Sequence, residues 1–309
     1  MSSITFAMTC VYNCINSSTY VCKLVTCNGE LTTSVNSMFP RIIAIACFVS
    51  EISIMIKNLT DFPKYNHKIK EYELYFPTNV SQKSTRKTFI IFIGFAYISI
   101  ILPLNIVRLY LIHYNKHRIE ILIFFTMMYV QNWRICLKEV GFISRCFGLY
   151  QKFQIINEEL IVLKAETISK NKYPTVLRNE VHCSAIINNP RFHTLANSIE
   201  LLRMKHQFVR RALRDLNKLY DTQLGSSLVF LFIMILFDIN GEVNAKDTMT
   251  RSKIFIYGWI LQYTFRCFSI IITSHFTTKQ AYNTKMLLAD INNRYLDKTT
   301  KEEFYPVEE

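Results

Sequence analysis

The feature that most constrains this chain is an apolar run, KTFIIFIGFAYISIILPLNIVRLYLI, at residues 87–112. It carries no charged side chain between Lys87 and Arg108, and roughly 20 apolar residues are enough for a helix to cross a bilayer. Pro103 predicts a kink, which membrane helices tolerate because neighbouring groups satisfy the freed carbonyl. The run therefore predicts a membrane-spanning helix.

Five further segments have a related length and composition. Three of them contain polar or charged residues that interrupt the apolar run. These are Glu51 in residues 38–57, Gln262 and Arg266 in residues 254–276, and the polar half after Val130 in residues 120–142. Residues 222–243 have a short apolar centre with clear polar boundaries, and residues 4–22 are only weakly apolar. The six segments predict an all-α fold, a polytopic transmembrane helical bundle that forms one domain over residues 1–309.

The basic residues indicate the orientation of the bundle. The net charge is +13, and 25 of the 36 Lys and Arg residues fall in alternate connections and the C-terminal tail, whereas 6 fall on the opposite side. By the positive-inside rule the first group is cytoplasmic, and so is the N-terminus if residues 4–22 cross the membrane. We expect a multi-pass plasma membrane protein on which the sequons at Asn58 and Asn79 stay unmodified.

The connection at residues 143–221 predicts long helices that extend into the cytosol. A helical stripe at Phe153, Ile156, Leu160 and Leu163 precedes a polar stretch that breaks around Pro174 and Pro190. HQFVRRALRDLNKLYDTQ, from residue 206, restarts the helix. The predicted helix has an apolar face and a basic face. The apolar face consists of Leu202, Val209, Leu213, Leu216 and Tyr220, and the basic face consists of Arg203, Arg210, Arg211, Arg214 and Lys218. The basic face could bind acidic lipid or a calmodulin-like partner, or it is a solvated face beside a span.

Composition and motifs exclude several other classes. The sequence contains no phosphate-binding glycine motif, no H-E-x-x-H and no G-x-S-x-G, so we expect no enzyme and no cofactor. The nine cysteines lack the spacing of a zinc site, and their odd number without a secretory signal argues against a disulfide framework. Nucleic acid is not an expected partner, because the basic residues follow membrane side rather than one aromatic-studded surface.

Charged residues inside the predicted spans are expected to face protein or water, because isolated charge in hydrocarbon is costly. Glu51 lies about one turn from the cytoplasmic end of its span. Its side chain could extend to the headgroup region, or it could have a functional role. Arg134, Lys138 and Glu139 place residues 120–142 inside the bundle, and Arg266 does the same for residues 254–276.

Aromatic and polar residues cluster toward the predicted outer halves of the spans. A small-molecule pocket with apolar walls and a few polar groups has this composition, and so has an interfacial aromatic belt. The residues are Tyr110, Tyr129, Trp133, Phe237, Asp238, Trp259 and Tyr263.

From about residue 38 to residue 303 the chain resembles the insect chemoreceptor superfamily, and specifically a gustatory receptor. The resemblance rests on the pattern of spans, on FQIINEEL at residues 153–160, and on a His followed by an L-N-x-x-Y element before the fifth span. These last residues are His206, Leu216, Asn217 and Tyr220, and Cys267 followed by a charged helix matches the region after the sixth span.

The resemblance implies a taste receptor subunit of seven helices in a homo- or hetero-tetrameric, ligand-gated, nonselective cation channel. It implies a pocket for a small-molecule tastant among helices two to six, contacts with membrane lipid, and cytoplasmic helices that form the assembly core.

One family element is missing from the sequence. The seventh helix with its T-Y-hydrophobic-Q-F element is absent, because the tail at residues 277–309 ends in FYPVEE. We therefore expect a truncated chain that does not conduct by itself. Two alternatives stay open: a polytopic small-solute transporter that uses the buried charges as an ion path, and an odorant receptor of the same superfamily.

Overall fold

A computed structural model describes residues 3–24, 30–77, 80–116, 118–172, 190–244 and 250–295. Over these residues the chain forms seven α-helices and no strand, which confirms the all-α class. The helices are α1 (Ser3–Leu24), α2 (Glu30–Thr60), α3 (Phe62–Tyr75), α4 (Val80–Lys116), α5 (Ile119–Lys172), α6 (Pro190–Asn244) and α7 (Thr250–Tyr295).

Three helical stretches are long and apolar enough to cross a membrane: Pro40–Thr60, Lys83–Tyr114 and Asn197–Asn240. They overlap the predicted spans at 38–57, 87–112 and 222–243. The other three predicted spans are helical, as parts of α1, α5 and α7, but each is diluted by polar or charged residues. The described chain is therefore membrane-associated in character, and its six crossings stay a prediction.

Helix α4 shows this character most clearly. It has the highest mean hydropathy of the three stretches, 2.4, and it runs through Pro103 without interruption. Exposed apolar surface of this extent marks an interface with lipid or with another protein. Its exposed large apolar residues are Ile91, Phe92, Phe95, Ile98, Leu102, Ile106, Val107, Tyr110 and Tyr114.

The chain divides into two compact units. The first unit comprises Met1–Asn66, Asn79–Arg145 and Asp215–Thr273, and the second comprises His67–Thr78, Cys146–Arg214 and Ser274–Glu309. The first unit holds almost all residues of the six predicted spans, and the second holds segments that the charge count assigns to the cytoplasm. The single domain over residues 1–309 stays a prediction.

The core of the second unit follows the helical stripe predicted from sequence. Phe153, Ile156, Leu160 and Leu163 of α5 are all buried, as are Leu202 and Val209 of α6. On the opposite face of α6, Arg210, Arg211 and Arg214 are exposed. The helical period of the apolar residues therefore predicted the buried face correctly.

The start of α6 differs from the sequence prediction. The helix begins at Pro190. The sequence pattern instead predicted a break around Pro190 and a new helix that includes the segment from residue 206. Proline suits the first turn of a helix, because the backbone N–H that it lacks would have no intrahelical partner. The region that connects α5 to α6, residues 173–189, lies outside the described residues.

Candidate functional site

Three of the predicted pocket aromatics come together in the first unit. Tyr129 of α5 and Trp259 and Tyr263 of α7 are buried in one apolar cluster, which also includes Leu231 and Met234 of α6. Trp133 and Phe237 are half-buried. The side chains that sequence analysis grouped by depth therefore separate into a buried set and a peripheral set.

Tyr110 does not join the buried aromatics. It is 64% exposed and stacks on Tyr114, with ring centroids 6.3 Å apart. Tyr110 is therefore separate from the buried aromatics, and its place in an interfacial belt stays a prediction.

Polar groups accompany the buried aromatics. The Arg108 guanidinium lies 4.1 Å from the centroid of the Trp259 ring, and Asp238 interacts electrostatically with Arg108 and with Tyr263. Among the described residues, the Tyr129 hydroxyl and one Asp238 carboxylate oxygen are buried without a hydrogen-bond partner. Such groups require water or a ligand to satisfy them.

A cavity of about 30 Å³ lies beside this cluster, between α2, α5, α6 and α7. A water molecule needs roughly 10–15 Å³, so the cavity accommodates water and a larger ligand requires side chains to move. Most of the wall is apolar, and the polar groups come from α5, α6 and α7. The lining residues are Ile42, Ile43, Ala46, Asn132, Ile135, Ser227, Phe230, Leu231, Met234, Tyr263 and Arg266.

Arg266 at the cavity wall belongs to a buried ion pair. Its Nε and Nη2 atoms donate to the two carboxylate oxygens of Glu139 at 2.9 and 2.8 Å, and its Nη1 donates to Asn132 Oδ1 at 2.9 Å. Arg266 is 2% exposed and Glu139 is 0% exposed. The two-pronged geometry satisfies both charges, so the pair fixes α7 against α5.

A second charged cluster joins α2 to α5. Glu51 is buried and accepts a hydrogen bond from Lys138, and its carboxylate lies 3.2 Å from Arg134 Nη2. The Arg134 guanidinium lies 4.1 Å from the centroid of the Phe6 ring of α1. Glu51 is therefore engaged inside the protein rather than extended toward the headgroups.

Sequence reasoning flagged these charges but missed how they pair. Lys138 and Glu139 are neighbours in sequence, yet Lys138 pairs with Glu51 and Glu139 pairs with Arg266. Helical spacing carried the signal: Arg134 and Lys138 are four residues apart on one face of α5, and Glu139 belongs to another. Arg108, Ala46 and Ser227 were not flagged, because nothing local marks an Arg at a span end or a small residue as part of a cavity.

The family-motif residues have different environments. His206 is buried in the second unit, with its ring centroid 5.9 Å from that of Phe153. In the first unit Leu216 is fully buried and the Tyr220 hydroxyl accepts a hydrogen bond from Arg145. Asn217 is exposed. The motif thus contributes to packing at three positions and to the surface at the fourth.

The described cysteines are mostly free thiols. Cys10, Cys14, Cys47, Cys136, Cys146 and Cys267 are unbonded, whereas Cys22 is disulfide-bonded. Within the described residues, no three His, Cys, Asp or Glu side chains gather in a way that could hold a metal ion.

No protein-family model matches the chain, and a search of curated proteins finds no similar sequence.

Proposed function

We propose that the chain is a multi-pass plasma membrane subunit of a chemosensory receptor, a ligand-gated nonselective cation channel of the insect gustatory receptor type. The observation that carries the proposal is the cavity between α2, α5, α6 and α7, with an apolar wall, a few polar groups and the Arg266–Glu139 pair at its edge. Pockets for small molecules have this composition and occur between helices of bundles. The sequence resemblance supplies the receptor class.

Orientation in the membrane follows from charge and from a disulfide. The basic connections are cytoplasmic by the positive-inside rule. Cys22, at the predicted outer end of the first span, is disulfide-bonded, and disulfides persist on the oxidising side of a membrane. Both features support an N-terminus in the cytoplasm, on the condition that residues 4–22 cross the membrane.

Ligand recognition would begin in the cavity. Asn132, Ser227 and the Tyr263 ring are polar and aromatic groups of the wall that a tastant would contact, and movement of the apolar wall residues Phe230 and Met234 would enlarge the space. A ligand that binds the expanded form better than the closed form shifts the population toward it. Because the cavity is lined by α2, α5, α6 and α7, that expansion would move several helices together. In a tetramer, this movement would shift the equilibrium between the closed and the open pore.

Binding of small molecules to the purified chain tests the proposal. A panel of sugars and bitter compounds is screened for ligands that raise the melting temperature in detergent, since a ligand that binds the folded state stabilises it. We expect at least one compound to do so in a saturable manner.

Two adjacent residues of α2 supply a matched pair of variants. Ala46 is 5% exposed and lines the cavity, whereas Ile45 is 45% exposed and faces outward. Ala46→Val fills the cavity and is expected to weaken ligand binding by about tenfold or more, while Ile45→Val leaves it unchanged. Equal binding by both variants, with melting temperatures of the ligand-free protein near that of the wild type, would contradict the cavity as the ligand site.

A small-solute transporter is the second candidate, and the paired charges of Glu51, Arg134 and Lys138 within the predicted spans favour it. Ionisable groups inside a membrane often mark an ion or substrate path. The two functions differ in transport: ligand-evoked cation current that is absent without ligand supports the receptor, and saturable substrate flux without current supports the transporter. An odorant receptor of the same superfamily would share the current and differ in its ligands.

A further inference from the structure

Two arginines of the first unit interact at the predicted cytoplasmic ends of two spans. Arg86 lies in the second turn of α4, just before the span at 87–112, and Arg145 lies on α5, just after the span at 120–142. The charge of Arg86 helps to lower the pKa of Arg145, so the two side chains are close enough for their like charges to repel. Like charges brought together in a partly buried place are unfavourable unless an anion balances them.

Aromatic side chains hold Arg145 in place without neutralising it. Its guanidinium carbon lies 5.3 Å from the Phe62 ring centroid and 5.4 Å from the Tyr220 ring centroid, and Nη1 donates to the Tyr220 hydroxyl. Burial lowers the pKa of Arg145; Tyr65 opposes this effect and Arg86 adds to it. The guanidinium is thus oriented but carries an uncompensated charge.

The region shows no carboxylate free to act as a counter-ion. Within the part of the chain that the structure describes, neither Arg86 nor Arg145 takes part in an ion pair, and Arg86 Nε is buried without a hydrogen-bond partner. Asp61, next to Phe62 in the sequence, is engaged by Lys64 at 3.9 Å and Lys218 at 3.7 Å. A buried guanidinium N–H without an acceptor is an unusual group that calls for a ligand.

The basic face of α6 differs in this respect. Of the residues on that face, Arg203 pairs with Glu200 at 2.7 Å and Lys218 pairs with Asp61 at 3.7 Å. Part of that face is therefore neutralised within the protein, which favours the solvated-surface interpretation for α6 and leaves the two arginines as the stronger anion site.

We propose that Arg86 and Arg145 bind the phosphate of an anionic phospholipid headgroup in the inner leaflet. The planar fork of Arg matches phosphate oxygens, and exposed Lys83 and Lys87 add positive charge on the same face of α4. The phosphate would satisfy Arg86 Nε and separate the two like charges. This proposal depends on the membrane orientation in the proposed function and not on the ligand cavity.

Lipid binding to the purified full chain in detergent tests the proposal. The probes are a short-chain phosphoinositide, short-chain phosphatidylcholine and inorganic phosphate. We expect the wild-type chain to prefer the phosphoinositide over both other probes. Arg86→Gln is expected to weaken phosphoinositide binding by about tenfold, because it removes a charge-assisted contact.

Two further variants control for charge and for folding. Arg210→Gln removes an exposed basic residue of α6 and is expected to leave binding nearly unchanged. Arg145→Lys keeps the charge but loses the fork, so weaker binding by this variant supports recognition by geometry. If Arg145 variants fail to fold, Arg86→Gln alone decides, since Arg86, in the second turn of α4, is only partly buried.

Three results would overturn the proposal: equal phosphoinositide binding by the wild-type chain and Arg86→Gln, an equal loss in Arg210→Gln, or binding of inorganic phosphate as tight as that of the lipid. Small-molecule binding in the Ala46→Val and Ile45→Val pair is measured separately. A failure of the lipid site therefore leaves the proposed receptor function standing, and the reverse also holds.

Discussion

At the residue scale, Arg266 and Glu139 show how charge is accommodated in a span. Both side chains are buried, and the two-pronged contact with the added Asn132 hydrogen bond satisfies them. Removing one partner leaves the other charge buried without compensation, which costs more than the intact pair contributes.

Glu139→Gln is therefore expected to destabilise the protein by about 3–5 kcal/mol, seen as a lower melting temperature in detergent. The control is Lys23→Gln, which breaks the Lys23–Glu120 pair, whose side chains are 35% and 65% exposed. Exposed pairs contribute only about 0–1 kcal/mol. Equal melting temperatures for the two variants would show that the Arg266–Glu139 pair does not secure α7 to α5.

The sequence predicted that Arg266 and Glu51 would avoid lipid, but it did not predict their partners. Hydropathy shows that a charge in a span needs shielding, whereas the choice of partner depends on which faces of α2, α5 and α7 meet. One sequence by itself carries no signal for that choice.

At the scale of the elements, periodicity was informative and boundaries were less so. The stripe at Phe153, Ile156, Leu160 and Leu163 predicted the buried face of α5. The start of α6 at Pro190 was missed, because a proline in a polar stretch indicates a break and a first helical turn equally well.

Contacts between α5 and α7 in the second unit give a test of helix register. Asn157 Nδ2 donates to Gln280 Oε1 at 2.7 Å and to the Gln280 carbonyl oxygen at 3.3 Å. Cysteines at these two positions are expected to form a disulfide under mild oxidation, because the Asn157 side chain reaches the Gln280 backbone. A protease site is inserted in residues 173–189, between the two cysteines. After cleavage, the two fragments run as one band on a non-reducing gel if the disulfide has formed and as two bands if it has not.

The matched control pairs Asn157→Cys with Tyr282→Cys, since Tyr282 is exposed. This pair is expected to stay uncrosslinked. Crosslinking of the control pair with none between positions 157 and 280 would mean a different rotation of α7.

At the scale of the whole molecule, composition predicted the all-α class and the membrane character. The apolar residues of α4 that remain exposed are those that a lipid environment would cover. The cavity was not predictable residue by residue, because Ala46 and Ser227 are ordinary residues until four helices bring them together.

Both the receptor orientation and the lipid site depend on the cytoplasmic location of the basic loops. Mapping glycans on the chain synthesised in the presence of microsomal membranes tests this location most directly. We expect Asn58 and Asn79 to stay unglycosylated, and a sequon-bearing insertion in the predicted outer connection between residues 243 and 254 to be glycosylated. Glycan on Asn58 or Asn79, with none on the insertion, would contradict the orientation.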